Sequence, residues 1–483
     1  MKIVITGGAG FVGSSLCLEL KRKYPSYNIV AFDNLKRRGS ELNLSDFQKS
    51  DIEFIHGDIR NNEDIVALGA FDVLVEASAE PSVTAGLDSD PTYVINNNLY
   101  GSINCFNACL KHKAKLIFLS TSRVYPIETI EKASFKEEET RFSFAENQES
   151  EGISKLGISE KLSLEGARSF YGTTKLASEL FIQEYAAFYG LQAAITRFGV
   201  IAGPRQMGKT DQGVVTLWMA KHYWNQSLKY IGYDGTGKQV RDILHVDDLI
   251  DLIDLQIHQI EKFIGKIYNV GGGLEKSASL LEMTFICEKI TGNKIVIGSE
   301  KVTRPADLRM YVTDNSLIER EIGWKPKKSV EQVFEDIYQW IKENKGITLQ
   351  TDFSEEKLNE YFENLKNSGR KDEISENTIK PYRTLAYYIE RYELHKNSKL
   401  TFQNLNETTY WDFWDFQDEV LKGDIKLPKI AGKKSGTINK NGFLLSSIRK
   451  YQKTLFRILK MAQAENIKVE LNTSNSNLIV EDK

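Results

Sequence analysis

Residues Lys2-Ile-Val-Ile-Thr-Gly-Gly-Ala-Gly-Phe-Val-Gly13 open the chain, and their order decides how its first part folds. Ile3, Val4 and Ile5 are a short β-branched run of the kind that forms a strand buried on both faces. Gly7, Gly10 and Gly13 follow at the spacing of a dinucleotide-binding turn, where backbone must come close to a pyrophosphate. The helix from Phe11 then points its first amides, and the positive end of its dipole, at that charge. A second strand, Asn28 to Phe32, ends in Asp33, and a carboxylate about twenty residues past the glycines is placed to bind an adenosine ribose. This strand, turn and helix context separates the pattern from a lone glycine repeat.

Outward from this turn the alternation continues. Ile52 to Ile55 reads as a third strand ending at Asp58 and Ile59, which places those two beside an adenine. Asp72 to Val75 reads as a fourth strand, Thr92 to Lys111 as a helix and Lys115 to Leu119 as a fifth strand. The expected fold class is α/β: a Rossmann doubly wound parallel sheet with helices on both faces. Lys36, Arg37 and Arg38 suit a 2′-phosphate, but Asp33 repels one, so the cofactor expected is NAD rather than NADP.

The fifth strand runs into Ser120-Thr-Ser-Arg-Val-Tyr125, a hydroxyl cluster at the strand end where open α/β sheets bind ligands. Tyr171-Gly-Thr-Thr-Lys175 then opens a helix continuing to about Tyr189. Tyrosine and lysine four apart share one helix face, so the ammonium favours the phenolate and makes Tyr171 a base for use near neutral pH. Such a pair is common on ordinary helix surfaces. It gains meaning here from the glycine turn and hydroxyl cluster that point to the same cleft.

At 483 residues the chain needs two or three domains. A hydrophobic share of 41%, a charged share of 27% and a net charge of -3 exclude a disordered chain and a nucleic-acid polycation, so any basic surface is local. Cys17, Cys105, Cys109 and Cys287 lack paired spacing and read as reduced core thiols. Met1 leads directly into the first strand, leaving no room for a signal peptide, and no apolar run spans a bilayer. A soluble, cytoplasmic protein with no membrane partner and no metal is expected.

On these motifs the chain resembles the extended short-chain dehydrogenases/reductases of the nucleotide-sugar epimerase and dehydratase group. Thr121, Tyr171 and Lys175 match that family's catalytic triad, and Asn98 with Leu99-Tyr-Gly-Ser102 matches its Asn-Val-x-Gly-Thr stretch. Within the group the CDP-paratose 2-epimerases, also called tyvelose epimerases, share Val240-Arg-Asp-Ile-Leu-His245 after Gly237-Lys-Gln. They also share Gly203-Pro-Arg-Gln206 through Asp211-Gln-Gly213 and a long insertion between Tyr125 and Tyr171.

The resemblance implies an NAD-dependent isomerase that oxidises C2 of CDP-paratose and returns hydride to the opposite face, giving CDP-tyvelose for polysaccharide biosynthesis. It implies a cofactor site at Gly7, Gly10, Phe11, Val12, Gly13, Asp33, Asn34, Asp58, Ile59, Ala77, Asn98, Tyr171 and Lys175. Arg241 and Arg304 are expected on the substrate diphosphate, because guanidinium forks bind phosphate bidentately; Arg205 and Glu80 are further substrate candidates. For Arg205 and Arg309 a surface salt bridge is the stronger alternative, and for Glu80 a solvated loop position. His245 reads as structural. One departure stands out: the family's His-Leu-Ala-Ala/Gly-Gln after the fourth strand is replaced here by Glu76-Ala-Ser-Ala-Glu80.

Residues 1–345 are expected to form the epimerase, with a substrate lobe mainly over 199–345, followed by a linker at 346–376, a helical module at 377–470 and a disordered tail at 471–483. The module's helices are read at Thr378 to His395, Asn406 to Leu421 and about Asn441 to Glu465, with Tyr410, Trp411, Phe413, Trp414 and Phe416 as core. It is similar to the SAM-like core-binding domain of tyrosine recombinases, which implies DNA contact through the basic stretch Lys422 to Lys460. A solvated basic face explains that stretch equally well. Three other functions stay open: a C4-epimerase, a dehydratase and a non-catalytic NAD-binding regulator. Dehydratases place Asp-Glu after the triad threonine, where this chain has Ser122-Arg123, and the complete triad favours catalysis. The partners expected are a nucleotide sugar and further copies of the chain.

Overall fold

The apolar runs read above become adjacent strands. The computed structural model describes residues 1–37, 39–87, 90–207 and 213–344, and beyond them 384–385, 388–389, 391–393, 395–396, 400, 402, 405–422, 445–464, 471–472 and 478. Two units are present, Met1–Phe353 and Ser354–Lys483. Arg38, residues 208–212 and the linker expected at 346–376 lie outside the described residues.

In the first unit the strands that frame the site are, in chain order, β1 (Lys2–Thr6), β2 (Asn28–Asp33), β3 (Glu53–His56), β4 (Val73–Glu76), β5 (Lys115–Thr121), β6 (Ala193–Phe198), β7 (Val200–Ala202), β8 (Val240–His245) and β9 (Ile267–Val270). The helices that matter for the site are α1 (Phe11–Lys23), α2 (Gly101–His112), α3 (Phe170–Tyr189), α4 (Val214–Tyr223), α5 (Val246–His258), α6 (Leu280–Thr291) and α7 (Val330–Glu343). Seven parallel strands form the main sheet in the order β9-β6-β5-β4-β1-β2-β3. The order reverses direction at β1, between β2 and β4, which is where a dinucleotide binds in such sheets. Val4, Val30, Leu74 and Phe118 pack on one face and Ile3, Ala31, Val75 and Ile117 on the other, so β-branched and apolar residues fill both sides of the central strands.

The second lobe packs α4, α6 and α7 around Trp218, Met219, Met283, Phe334 and Ile337. Ser329 caps α7 in a reciprocal capping box with Gln332, which fixes where the closing helix begins. The insertion after Tyr125 forms two short hairpins, Phe135–Glu137 with Phe142–Phe144 and Ile153–Ser154 with Gly157–Ile158. The four cysteines are free and buried. Among the described residues no helix is long and apolar enough to cross a membrane.

The helix expected from Thr92 to Lys111 is interrupted: Asn96–Tyr100 is a π-helical segment between Thr92–Ile95 and α2. Such bulges gather at functional sites.

In the second unit, α8 (Glu407–Lys422) and α9 (Leu445–Ala464) contribute Tyr410, Phe413, Trp414, Phe416, Leu455, Phe456 and Leu459 to one core. The described residues between 384 and 396 are helical, in line with the first helix expected there. The disorder expected over 471–483 is corrected at Leu471 and Leu478, both buried in this core, with the Leu478 carbonyl accepting from the Tyr410 hydroxyl at 2.6 Å. Leu471 and the three-residue run Leu478-Ile-Val480 are too short, and too far apart in a polar stretch, to show a period, which is why sequence alone passes over them.

Candidate active site

The glycine turn is built by close approach. The Gly10 amide donates to the Gly7 carbonyl at 2.9 Å, and Gly7 itself takes a φ of +63° that few side-chain-bearing residues adopt. A Cβ on Gly13 would lie 2.1 Å from the Gly7 carbonyl oxygen, so only hydrogen lets α1 start this near the turn. Gly7 also lies against Ala77, just past β4, so that residue stands beside the turn. Phe11 and Val12 form the first turn of α1, half-buried.

Asp33, at the end of β2, accepts from the amides of Ala9 at 3.1 Å and Leu35 at 2.8 Å. Burial raises its carboxyl, and these amide bonds offset that only in part. Asn34 donates to Asp58 at 2.9 Å, and Arg60 grips the same carboxylate through two nitrogens. Burial acts upward on Asp58, but Arg60 and Asn34 outweigh it and bring the carboxyl down to about 2. Ile59 is buried beside Gly101. Two of the three basic residues weighed for a 2′-phosphate are engaged elsewhere: the Lys36 ammonium lies 3.2 Å from the Tyr93 ring centroid, and Arg37 reaches the Met207 carbonyl at 3.5 Å.

Thr121 ends β5, buried, with its hydroxyl accepting from the Arg123 amide at 3.2 Å. Tyr171 stands in the first turn of α3, which Ser169 caps through the Gly172 amide. A Cβ on Gly172 would fall 2.0 Å from the Arg123 carbonyl oxygen, so α3 begins directly on the turn that follows Thr121. That contact brings the strand-end hydroxyl and the helix-borne phenol into one site. Lys175 is one turn further on, with only 2% of its side chain exposed.

Asn98 lies in the π-helical segment, fully buried. It accepts from the Glu80 amide at 2.7 Å and donates to the Glu80 carbonyl at 3.0 Å, while its own carbonyl accepts from Ser102 at 2.9 Å and Ser178 at 3.2 Å. Asn98 therefore braces the loop after β4 against α3. Glu80 folds back within that loop, accepting from the Ser82 amide at 3.2 Å.

Arg241 bonds Asp307 at 2.7 Å, and Arg123 reaches the neighbouring Ala306 carbonyl at 3.1 Å. Burial first, then the adjacent Arg241, draw the half-buried Arg123 guanidinium down to about 10; Asp307, Tyr171 and Tyr233 are the other titratable groups it meets. Arg123 and Arg241 are thus both held by the 303–307 loop, near enough for each to bear on the charge of the other, and Arg123 is a residue that sequence reasoning did not assign. Arg304 is half-buried in the same 303–307 loop. Arg309 lies 5.0 Å from Phe135, 5.4 Å from Phe142 and 5.6 Å from Tyr233, a cation over three rings rather than the salt bridge expected as its alternative. Arg205 makes the salt bridge given above as its stronger alternative. It takes a left-handed backbone and bonds Asp46 at 2.8 Å and Asn43 at 2.9 Å, and Asn43 in turn donates to the Ala9 carbonyl, so Arg205 ties its loop to the glycine turn rather than facing a sugar. His245 caps α5, its Nδ1 accepting from the Asp247 amide at 3.0 Å. With Asp247 and Asp336 it has the reach of a metal cluster, but the Lys328 ammonium stands 2.9 Å from Asp336 as the cation there.

Residues 3–271 match the profile of the NAD dependent epimerase/dehydratase family. The chain belongs to that family. It is 31% identical over 348 residues to the CDP-paratose 2-epimerase of Salmonella typhi, covering 70% of this chain and 99% of that protein. It is 28% identical to the bifunctional UDP-glucose 4-epimerase and UDP-xylose 4-epimerase 1 of Pisum sativum, over 71% of this chain and 96% of that one. Among solved structures it is similar to the UDP-glucuronic acid 4-epimerase of Bacillus cereus in complex with UDP-glucuronic acid and NAD, at 26% identity and a TM-score of 0.57, over 71% and 99% of the two chains. The dTDP-glucose 4,6-dehydratase of Bacillus anthracis in complex with NAD matches at 25% identity and a TM-score of 0.57, over 73% and 100%. As in the rest of this NAD-dependent family the cofactor is NAD, and the residues fit it: the close approach at Gly13 starts α1 on the glycine turn, where its positive dipole end favours a pyrophosphate, and the Asp33 carboxylate accepts from the Ala9 amide of that turn.

Proposed function

We propose that the enzyme is a nucleotide-sugar 2-epimerase that converts CDP-paratose to CDP-tyvelose. One observation carries this reading: the turn after Thr121 holds Ser122 and Arg123 rather than an acidic pair, and Arg123 and Arg241 bond the adjacent residues Ala306 and Asp307 of one loop. A dehydratase needs an acid and a base at that turn, whereas an epimerase needs only the triad and a firm hold on the diphosphate. The CDP-sugar and the C2 position rest on similarity to the Salmonella enzyme along 99% of its length.

The chemistry that NAD supplies when bound is reversible hydride exchange with one sugar carbon. Tyr171 takes the proton of the hydroxyl on that carbon and Thr121 hydrogen-bonds the same oxygen. Arg123, Arg241 and Arg304 hold the diphosphate as an anchor about which the flat ketone swings, exposing its opposite face. Substrate deuterated at C2 is expected to give product with the label still at C2 and no exchange with water. Solvent deuterium at C2 would overturn the mechanism, and label transfer only from C4 would make the enzyme a 4-epimerase.

The second unit supports a separate reading, contact with a DNA backbone. Along α9, Lys450, Lys453, Arg457 and Lys460 are exposed at helical spacing, opposite the face that buries Leu455, Phe456 and Leu459. Four phosphate contacts release counterions, so duplex binding by the full chain should weaken about 10²-fold between roughly 50 and 200 mM salt. Reversing Lys450 and Arg457 to Glu should remove it. No binding at low salt would refute the reading.

A further inference from the structure

Glu76, the last residue of β4, is fully buried beneath the catalytic helix. Its Oε2 lies 3.2 Å from the Lys175 ammonium, and its Oε1 has no hydrogen-bond partner among the described residues. Each neighbouring element faces this pair with few charges. In register with Glu76 stand Thr6 on β1 and Phe118 on β5, and the Phe118 ring centroid is 4.2 Å from the ammonium. From α2 come the Ser102 hydroxyl and the Cys105 thiol. Burial raises the Glu76 carboxyl and Lys175 opposes that. On the substrate side, Arg123 meets Tyr171.

Stability alone does not account for a carboxylate in this place, because buried ion pairs replaced by apolar residues often leave a protein as stable or more so. What the pair does is electrostatic. An ammonium with its counter-ion 3.2 Å away acts on Tyr171 as a dipole, whose field dies away faster than that of a lone charge.

We propose that Glu76 is a positioning residue for the reaction: its carboxylate fixes the Lys175 ammonium one turn from Tyr171 and cancels part of the positive charge that supports the phenolate. This rests on Tyr171 being the base but not on which sugar is bound. The site therefore relies on a second positive charge beside the phenol, and Arg123, which meets Tyr171, is the protein group that supplies one.

The test uses NAD-bound protein without any sugar, so it is independent of the substrate. Ultraviolet titration of the tyrosinate band, taken as the difference between the chain and its Tyr171→Phe variant, isolates Tyr171. Repeating it in Glu76→Gln, again against the matching Tyr171→Phe double variant, should move the midpoint down by about one pH unit, the usual size for one nearby charge. Glu76→Asp, which keeps the charge, should return it toward the wild-type value. An unchanged or raised midpoint in Glu76→Gln, with only thermal stability altered, would reduce Glu76 to a structural residue and overturn the proposal. If Glu76→Gln does not fold, Glu76→His carries the same expectation above the pH at which the imidazole is neutral.

Discussion

Tyr171→Phe is expected to retain NAD and lose about 10²–10⁴-fold in turnover, the usual contribution of a positioned general base. The substitution removes one oxygen and leaves the ring, so the first turn of α3 and its Ser169 cap keep their packing. Cofactor retention follows because the glycine turn, Asp33 and Asn98 all lie on other elements. The loss should fall on kcat with little change in KM, since the missing group acts on a proton in the transition state and the diphosphate is held by arginines. Measuring bound NAD on the purified variant beside its steady-state kinetics checks both halves. Turnover within tenfold of wild type would assign the base elsewhere.

Arg197→Ala is expected to lower the unfolding free energy by about 3–5 kcal/mol, the cost of leaving a buried charge without its partner. Arg197 on β6 and Glu179 on α3 are 4% and 0% exposed, joined at 2.7 Å and by two further bonds from Nε at 3.1 Å. Ser120 donates to the same carboxylate at 2.5 Å, Arg197 donates to the Tyr125 hydroxyl at 3.1 Å, and that hydroxyl donates to Asn269 at 2.8 Å. The network thus joins β5, α3, β6 and β9 under the triad. Chemical denaturation of the variant measures the loss, and the double variant Arg197→Met with Glu179→Leu should recover much of it, since it leaves no orphaned charge. A loss below about 1 kcal/mol, the scale of exposed pairs, would mean that water reaches the network.

What was legible in the sequence is what local chemistry dictates. A glycine at φ +63°, a strand-end carboxylate and a tyrosine four residues from a lysine each leave a mark within a few positions: Gly7 lies in the turn, Asp33 bonds the Ala9 amide of that turn, and Tyr171 and Lys175 open one helix. What escaped depends on partners far along the chain. Arg205 reads as a loop arginine open to a phosphate or to a salt bridge, and only the fold names Asp46 as its partner. Arg123 was legible as a missing acid, but its meeting with Arg241 depends on the 303–307 loop, where Ala306 holds Arg123 and Asp307 holds Arg241. Glu76 reads as a strand end, and nothing near it announces that a lysine of α3 will lie above it. Gly172 looks like any helix glycine until the Arg123 carbonyl is found against it.

The π-helical segment at Asn96–Tyr100 has a consequence for what changes this region accepts. Its wider turn holds one residue more than an α-turn, so the stretch before it and α2 after it are about 100° out of phase with a continuous helix. Cys105, Phe106 and Cys109 reach the core in that shifted phase. Deleting a single residue from 96–100 would let an unbroken α-helix form while swinging those three side chains off the sheet and drawing the Asn98 carbonyl away from Ser178. The segment is therefore constrained in the number of its residues as well as in their kind: a change of spelling can be absorbed there, a change of count cannot.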